Sequence, residues 1–564
     1  MVLLALILVP LIFAAYAGFR PAKEAKHIAL AGTLAALGLA VWACFDFNWQ
    51  QGTKFQFDFD SISGEPYPLI PTLGIALRLG VDSVAMLLVA LTALLGPICI
   101  LASFSAIKER EKTYYGWFLV LQGAMTGVFA VRDLGLFYVF FEFTLIPMWI
   151  LIHLYGSTNR KKAATKFFLY TFTGSVIALA GLVYVVWFNA YAKPGHMGQW
   201  TFDMRVLQNA AQQMSFKEQS WVLLALMAGF SVKVPLFPLH TWLPLAHTEA
   251  PTAGSVILAG VLLKLGTYGI YRFAIPFAPQ AAVAYAPYIA ILAIIGIIYA
   301  GLICWVQTDV KKLVAYSSVA HLGFCVLGLF AFNVTGLTGA VLYMINHGLS
   351  TGALFLLIGM VYERYHTRSL KELGGLAGRM PVWATFMVFF TMASVGLPGL
   401  NGFISEFLCI LGTFQAGAYD TPRPGVLGAN LGFWYAFAAG TGMIIAAMYL
   451  LLMLGKIVWG PLLEPHAHEE HAHPAVHADP AALPTDLNTR EIGILIPLAI
   501  ACLVLGLYPG PVIDGLRGPT SLMAGQMNDA RAALRARSST PARTGEQKPP
   551  AEPKPAAPAG EGHQ

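Results

Sequence analysis

The stretch from Phe230 to Gly266 reads FSVKVPLFPLHTWLPLAHTEAPTAGSVILAGVLLKLG and combines apolar runs with charged side chains. It holds two lysines, Lys233 and Lys264, and four prolines, a residue that interrupts helices. Irregular backbone at membrane depth is tolerated only where it is buried in protein or lines water. The stretch therefore predicts interrupted helices around an ion site inside a membrane.

Composition supports a membrane setting. The 564 residues are 57% hydrophobic and 11% charged, with a mean hydropathy of +0.65, whereas soluble domains are roughly a quarter charged. The net charge of +6 is small for this length and gives no reason to expect nucleic acid. Six cysteines form no CxxC motif, which argues against iron–sulfur clusters, c-type haem and structural zinc. We therefore expect no metal and no cofactor in this chain.

The predicted fold class is an all-α polytopic membrane protein with about 14 transmembrane helices of ~17–25 residues. Span 12 contains GLPGLNG at 396–402 and is too long for one straight crossing, so broken helices are expected in spans 7 and 12. The spans are predicted at 1–19, 27–45, 81–105, 114–131, 135–155, 166–190, 220–236, 254–275, 284–306, 313–331, 337–360, 383–413, 429–456 and 491–509.

Lysine and arginine concentrate in the loops after odd-numbered spans, for example at 108–112 and 160–162, whereas the loop at 46–80 is acidic. The positive-inside rule therefore predicts that these basic loops face the cytoplasm and that both termini lie on the periplasmic side.

Short matches indicate an internal repeat. Ser231-Val-Lys-Val-Pro235 in span 7 resembles Ser394-Val-Gly-Leu-Pro398 in span 12, and Leu169-Tyr170 in span 6 resembles Leu342-Tyr343 in span 11. Both pairs are five spans apart, an odd number, so the copies would cross the membrane in opposite directions, as in many ion transporters.

The expected organisation follows from these spans and from two low-complexity segments. His466 to His473 resembles a metal-binding tract, but a solvated loop is the favoured interpretation. The predicted units are three N-terminal transmembrane helices at 1–113, a first repeat of spans 4–8 at 114–275, a second, inverted repeat of spans 9–13 at 284–456, a His-rich cytoplasmic loop at 457–490, a last transmembrane helix at 491–509, and a disordered basic, Pro-rich tail at 510–564.

Four ionisable side chains lie well inside spans: Glu142, Lys233, Lys264 and Glu406. A charge near the bilayer centre costs about 2.5–3.5 kcal/mol on insertion scales, so each requires a reason. The structural alternatives are a buried ion pair for Glu142, snorkelling for Lys233 and a helix-capping carboxylate for Glu406. Lys264 is near mid-span, where snorkelling is difficult.

Three histidines could extend these charges into a proton path. His321 and His347 lie in spans 10 and 11, between Lys264 and Glu406 in sequence, and His240 follows the break in span 7. Histidine can relay protons near neutral pH, although a satisfied core role is the alternative for each. Because burial penalises a charged lysine and a nearby carboxylate favours it, a moving Glu142 would switch Lys233 between holding and releasing a proton. The order of groups suits a lateral proton wire better than a substrate pocket.

Four motifs carry a family resemblance that covers about residues 70–460. They are Leu243-Pro-Leu-Ala-His-Thr-Glu-Ala-Pro-Thr-Ala-Gly-Ser-Val-Ile-Leu-Ala-Gly260 with Lys264, Phe-Glu142-Phe, Lys311-Lys-Leu-Val-Ala-Tyr-Ser-Ser-Val-Ala-His321, and Asn346-His-Gly348. Together they resemble the antiporter-like subunits of respiratory complex I. Subunits of sodium/proton antiporters and of membrane-bound hydrogenases belong to the same family.

The resemblance implies roles for all seven residues. Glu142 and Lys233 would be the coupling pair, Lys264 the central relay and Glu406 the exit-side group, while His240, His321 and His347 would line a hydrated axis. Glutamate at position 406 separates the chain from the family's L and N subunits, which usually have lysine there. One departure is Leu245, which stands where the family usually has aspartate.

The implied function is a proton-translocating membrane-arm subunit of an NADH–quinone oxidoreductase, with no redox chemistry in this chain. FMN, iron–sulfur clusters and quinone are expected in partner subunits, with the L and N subunits and lipids as neighbours in a bacterial cytoplasmic membrane. The alternatives are a subunit of a sodium/proton antiporter or membrane-bound hydrogenase, and a structural spacer whose charges only fix helix pairs.

Overall fold

The computed structural model describes residues 1–59, 67–195, 198–417, 431–463 and 485–539. Most of the predicted His-rich loop, including His466 to His473, lies outside the described residues, as do residues 540–564.

The described residues are mostly α-helical, as the sequence predicts. Four short strands form two antiparallel pairs, β1 (Gln56–Phe59) with β4 (Leu79–Val81) and β2 (Tyr67–Ile70) with β3 (Ile75–Leu77). The helices are α1 (Val2–Phe19), α2 (Ala25–Asp46), α3 (Ser83–Ala106), α4 (Glu111–Ala130), α5 (Leu134–Phe143), α6 (Leu145–Tyr155), α7 (Arg160–Trp187), α8 (Met204–Ala211), α9 (Phe216–Lys233), α10 (Leu243–Glu249), α11 (Thr252–Ile257), α12 (Leu263–Gly269), α13 (Ile275–Phe277), α14 (Pro279–Trp305), α15 (Val310–Leu329), α16 (Val334–Tyr365), α17 (Pro381–Val395), α18 (Asn401–Ala416), α19 (Phe433–Val458), α20 (Thr489–Leu507) and α21 (Gly510–Ser539).

Three π-helical and four 3₁₀ segments also occur in the described ranges. The π-helical turns are Phe188–Ala192, Leu258–Leu262 and Ile270–Ala274, and the 3₁₀ turns are Ala22–Glu24, Trp49–Gln51, Pro71–Leu73 and Leu376–Gly378. Two of the π turns join α11, α12 and α13 into one helical segment, Thr252–Phe277.

Eleven helical segments in the described part of the chain are long and apolar enough to cross a membrane. The chain is therefore a multi-pass membrane protein. Three predicted spans, 114–131, 220–236 and 383–413, correspond to α4, α9 and the pair α17–α18, which are shorter or more polar than these eleven. The number of 14 crossings and the inverted relation between the two repeats stay predictions.

The centre of the bundle is formed by Thr252–Phe277 and α16, whose apolar parts are wholly buried. Helix α16 packs against α15, α17, α18, α11 and α21, and α14 packs against α15 and α19. The outer helices instead expose large apolar side chains, among them Phe19, Phe45 and Leu507. Such faces suit lipid or neighbouring subunits, so polar side chains on the central helices are kept from both.

A glycine-rich turn separates α17 from α18 within span 12. Helix α17 ends at Val395, and the next residue, Gly396, has a φ of +84° in the left-handed region that favours glycine. The N–H of Leu397 donates to Met392 O at 3.1 Å. A Cβ on Gly402 would lie 2.0 Å from Ala393 O, so the first turn of α18 crosses the last turn of α17 at backbone contact.

The disordered tail predicted from residue 510 is wrong for 510–539, which form α21. Leu516, Thr520, Met523 and Met527 of α21 are buried, and Thr338 Oγ1 donates to Thr520 Oγ1 at 3.2 Å. These residues recur every three or four positions, which is the apolar stripe of a surface helix. The surrounding residues are mostly alanine, arginine and other small residues, so the composition of this segment resembles that of a disordered tail.

Replacing Gly402 with alanine should destabilise the protein, because the new methyl group would overlap Ala393 O and force α17 and α18 apart. We expect a loss of about 1–3 kcal/mol of stability, the usual cost of overpacking, measured as a lower thermal midpoint of the purified protein. Gly455→Ala is the matched control, since a Cβ there meets nothing within 4 Å. Equal midpoints for the two variants would contradict the close crossing.

Candidate functional site

Lys264 lies at the centre of the bundle, two residues after a π-helical segment. The residue is fully buried, and its ammonium donates to Ala259 O in the π turn Leu258–Leu262. A π turn widens the helix and redirects backbone carbonyls, which explains why a carbonyl is available to the lysine. The same ammonium lies 2.7 Å from Nδ1 of His347 on α16. The sequence-predicted central lysine thus contacts one of the predicted histidines directly.

His321, Tyr343 and Glu406 meet where α15, α16 and α18 pack together. Glu406 Oε1 lies 3.0 Å from His321 Nδ1, and the Tyr343 hydroxyl donates to the same oxygen. The Tyr343 oxygen is also 2.6 Å from His321 Nδ1. At least 97% of each residue's surface is buried. A carboxylate, an imidazole and a phenol therefore share one tight hydrogen-bonded cluster inside the bundle.

A small cavity joins the Lys264 and Glu406 clusters. The rings of His321 and His347 are 6.0 Å apart, and Nε2 of each has no hydrogen-bond partner among the described residues. The cavity is lined by both histidines with Tyr343, Ser350, Thr351, Ser394 and Glu406, and it has about 10 Å³ for the centre of a water molecule. That is room for about one water. Lys264, His347, His321, Tyr343 and Glu406 are called the polar row below.

Lys233 and Glu142 form a second, separate cluster. Lys233 ends α9, is 3% exposed, and places its ammonium 4.3 Å from the centre of the Phe141 ring, a cation–π contact. Glu142 on α5 is near enough to interact with the Lys233 charge, but the Lys233 ammonium has no hydrogen-bond partner among the described residues. Within the described ranges, no hydrogen bond connects Lys233 to the polar row.

His240 stands apart from both clusters. Its ring contacts Phe237, Tyr299 and Tyr316 with ring centres 5.7–6.4 Å apart. Of the seven predicted site residues, the structure joins Lys264, His347, His321 and Glu406 in one row, brings Glu142 near Lys233, and leaves His240 among aromatic rings. Leu245, at the position of the family's usual aspartate, lies half-buried against the apolar core.

A polar vestibule opens on the side of the bundle that carries the basic loops. It has a volume of about 580 Å³, and its charged lining residues are Lys108, Glu249, Lys311, Glu363 and Arg368. Lys311 lies at its buried end and donates to Ala250 O at 2.5 Å. Glu249 accepts from Ser157 Oγ at 2.6 Å and from the Asn159 N–H at 2.8 Å.

His247 lies between the vestibule and the polar row, and sequence reasoning missed its position. It is fully buried and stacks on Phe355 with ring centres 4.7 Å apart. Neither ring nitrogen has a hydrogen-bond partner in the described part of the chain, and both Lys311 and Lys264 are near enough to interact with it. Its motif was visible in the sequence, but the motif gives no direction for the side chain. Tyr343 entered the sequence analysis only through the match between Leu169-Tyr170 and Leu342-Tyr343, which gives no site role.

Comparisons with known proteins agree with this fold. Residues 131–429, which contain all seven predicted site residues, match the family described as NADH:quinone oxidoreductase/Mrp antiporter, transmembrane. NADH-quinone oxidoreductase subunit M of Rhodobacter capsulatus is 40% identical over 88% of this chain and 90% of its own. NADH-ubiquinone oxidoreductase chain 4 of Arabidopsis thaliana is 39% identical over 90% of this chain and 94% of its own.

Solved structures give the same result. A chain of respiratory complex I from Thermus thermophilus superposes with a TM-score of 0.78, at 28% identity, over 93% of this chain and 100% of that chain. A chain of the Mrp complex from Dietzia sp. has a TM-score of 0.74 at 20% identity, over 94% and 99%, which shows a shared fold.

The chain belongs to the NADH:quinone oxidoreductase/Mrp antiporter family of transmembrane proteins. Among the members of that family it is an antiporter-like subunit of the complex I kind, as the sequence motifs predicted. The two curated relatives are the subunit M and chain 4 type, in agreement with the separation from the L and N subunits that Glu406 predicted.

The vestibule and the acidic loop should be reached from opposite sides of the membrane. A cysteine at Lys108, which lines the vestibule, should react with a membrane-impermeant thiol reagent only from the side of the basic loops. A cysteine at Lys54, in the acidic loop that precedes α3, should react only from the opposite side of the membrane. The native background is low because five of the six cysteines are buried. Labelling of both variants from one side would contradict this arrangement.

Proposed function

We propose that this chain is a proton-translocating membrane-arm subunit of an NADH:quinone oxidoreductase and that the polar row is its proton path. The observation that carries the proposal is the continuity of the row: Lys264 contacts His347, His347 faces His321 across the small cavity, and His321 and Tyr343 contact Glu406. Every member is buried and can accept or donate a proton. Family membership and the curated complex I relatives support the same function.

Protons reach the row through the vestibule and His247 in this proposal. Lys311 and Glu249 lie at the inner end of the vestibule, and His247 has two unpaired ring nitrogens between them and Lys264. A neutral imidazole can accept a proton on one nitrogen and release another from the second, and a ring flip or tautomer exchange then restores its starting form. Water is expected beside these nitrogens, because buried polar atoms without protein partners are usually satisfied by ordered water.

Glu142 and Lys233 control the row from the Lys264 side, where the end of α9 packs against α12. The Lys233 ammonium has the Phe141 ring as a weak partner, while Glu142 interacts with it from beyond ion-pair distance. In a low-dielectric interior, a change of a few ångströms between opposite charges alters proton affinity strongly. Movement of Glu142, driven by quinone reduction elsewhere in the complex, would therefore set whether Lys233 holds its proton.

The setting of the chain completes the proposal. Its partners are other membrane-arm subunits, and we assign the L and N subunits as its neighbours in a bacterial cytoplasmic membrane, with both termini on the periplasmic side. FMN, iron–sulfur clusters and quinone belong to partner subunits. The alternative, a subunit of a sodium/proton antiporter or a membrane-bound hydrogenase, has less support, because both curated relatives named above are NADH:quinone oxidoreductase subunits.

Lys233→Ala in the assembled complex should lower the number of protons translocated per electron, because the charge that Glu142 acts on is gone. The measurement is proton uptake per NADH oxidised in sealed vesicles. Lys217→Ala is the matched control, since Lys217 is an exposed lysine at the other end of α9. If the Lys233 variant assembles and pumps with the normal ratio, the coupling role assigned to it is wrong.

Sodium provides the test between the two transport functions. The polar row contains one carboxylate, and its other members are a lysine, two histidines and a tyrosine. Sodium prefers several oxygen ligands, so NADH-driven proton translocation should be equally fast in sodium-free and sodium-containing buffer. A requirement for sodium, measured with a sodium-selective chelator, would favour the antiporter function instead.

A further inference from the structure

Tyr343 lies in the middle of the polar row, and no role for it follows from the motifs or from the proposed coupling pair. Its hydroxyl contacts both His321 Nδ1, at 2.6 Å, and Glu406 Oε1. The direct contact between His321 Nδ1 and Glu406 Oε1 is longer, at 3.0 Å. We propose that the Tyr343 hydroxyl relays the proton between His321 and Glu406, an inference that rests on the proposed function.

The hydrogens available on His321 and Tyr343 allow the Tyr343 hydroxyl to pass a proton, and not only to hold Glu406 in place. When His321 is an imidazolium it carries a hydrogen on Nδ1, and the phenol carries one on its oxygen. With the Tyr343 hydroxyl donating to Glu406, the phenol oxygen still has lone pairs that can accept from His321 Nδ1. The three groups then form a directed chain, from His321 N–H to the Tyr343 oxygen and from the Tyr343 O–H to the Glu406 carboxylate.

The transfer is balanced and leaves Tyr343 unchanged. The N–H bond at His321 Nδ1 breaks as an O–H bond forms on Tyr343, and the original O–H bond of Tyr343 breaks as an O–H bond forms on Glu406 Oε1. The imidazolium becomes a neutral imidazole, and the carboxylate becomes a neutral carboxylic acid. The two transfers occur together, because a buried tyrosinate or a doubly protonated phenol would be an unpaired charge in an apolar interior.

The surroundings hold the hydroxyl in place and restrict its proton partners. Tyr343 is 3% exposed, and its ring meets those of His321 and His347 edge-on, with centres 6.1 and 6.4 Å apart. The other titratable groups near it are Tyr449 and Cys409. A tyrosine or cysteine side chain with its ordinary pKa is uncharged at neutral pH. His321 Nε2 has no hydrogen-bond partner among the described residues, and the His347 ring lies 6.0 Å away, so the next proton can arrive from His347 while the first leaves through Nδ1.

The relay is tested with Tyr343→Phe in the assembled complex, reconstituted in vesicles. Removing the hydroxyl leaves only the longer direct contact, so the rate of proton translocation should fall about tenfold, a modest loss for a general acid–base group. The infrared carbonyl band of protonated Glu406, identified as the band lost in Glu406→Gln, should shift because its hydrogen-bond donor is gone. Tyr114→Phe is the matched control, a buried tyrosine that bonds to Ser103 at 2.8 Å, far from the row.

The outcomes separate the relay from the proposed function. A normal rate and an unshifted band in Tyr343→Phe, together with loss of pumping in Glu406→Gln, would overturn the relay and leave the function standing. Normal pumping in both variants would overturn the function itself. If Tyr343→Phe does not assemble, 3,5-difluorotyrosine at this position keeps the hydroxyl and makes it more acidic. The relay then requires a changed rate, and an unchanged rate overturns it.

Discussion

The structure depends on one constraint, that an ammonium group in the middle of a membrane protein must find acceptors inside the protein. Lys264 meets this constraint with Ala259 O from its own helix and with Nδ1 of His347 from α16. Neither partner carries a negative charge, so within the described part of the chain the lysine is held without a fixed counter-ion. A buried ion pair would hold its proton tightly, whereas a neutral imidazole beside an ammonium can exchange one.

Irregular backbone provides the room for these contacts. The π turn at Leu258–Leu262 lies one residue before α12, which carries Lys264, and the glycine turn after α17 starts α18, which carries Glu406. Helix α9 also ends at its polar residue, Lys233, where it packs against α12. In each case a polar side chain lies within a few residues of backbone that leaves regular helix geometry. The π turn is fully buried, and irregular backbone is tolerated at membrane depth where protein buries it.

Helix α16 connects the two clusters of the polar row. Tyr343 and His347 are four residues apart, so they lie one turn apart on the same face of a regular helix. This places His347 against Lys264 and Tyr343 against Glu406 without any bend in α16. Asn346, on an adjacent face, bonds to Asn401 O at 2.7 Å, and Asn401 bonds back to Asn346 O at 3.1 Å. This reciprocal pair fixes α18 against α16 and so fixes the distance between Glu406 and the row.

The sequence by itself determined the membrane class, the family and the identity of the buried ionisable residues, because apolar length and isolated charges are local properties of the chain. It also indicated where α9 and α17 end, since proline and glycine act locally. Only the tertiary structure decided which of these residues meet. His240 and His321 are equally plausible in sequence, yet one lies among aromatic rings and the other contacts Glu406. The tertiary structure also showed that His247 and Tyr343 lie beside the predicted residues, and that residues 510–539 form helix α21. Contacts between helices depend on side-chain direction across packed faces, which short local patterns do not encode.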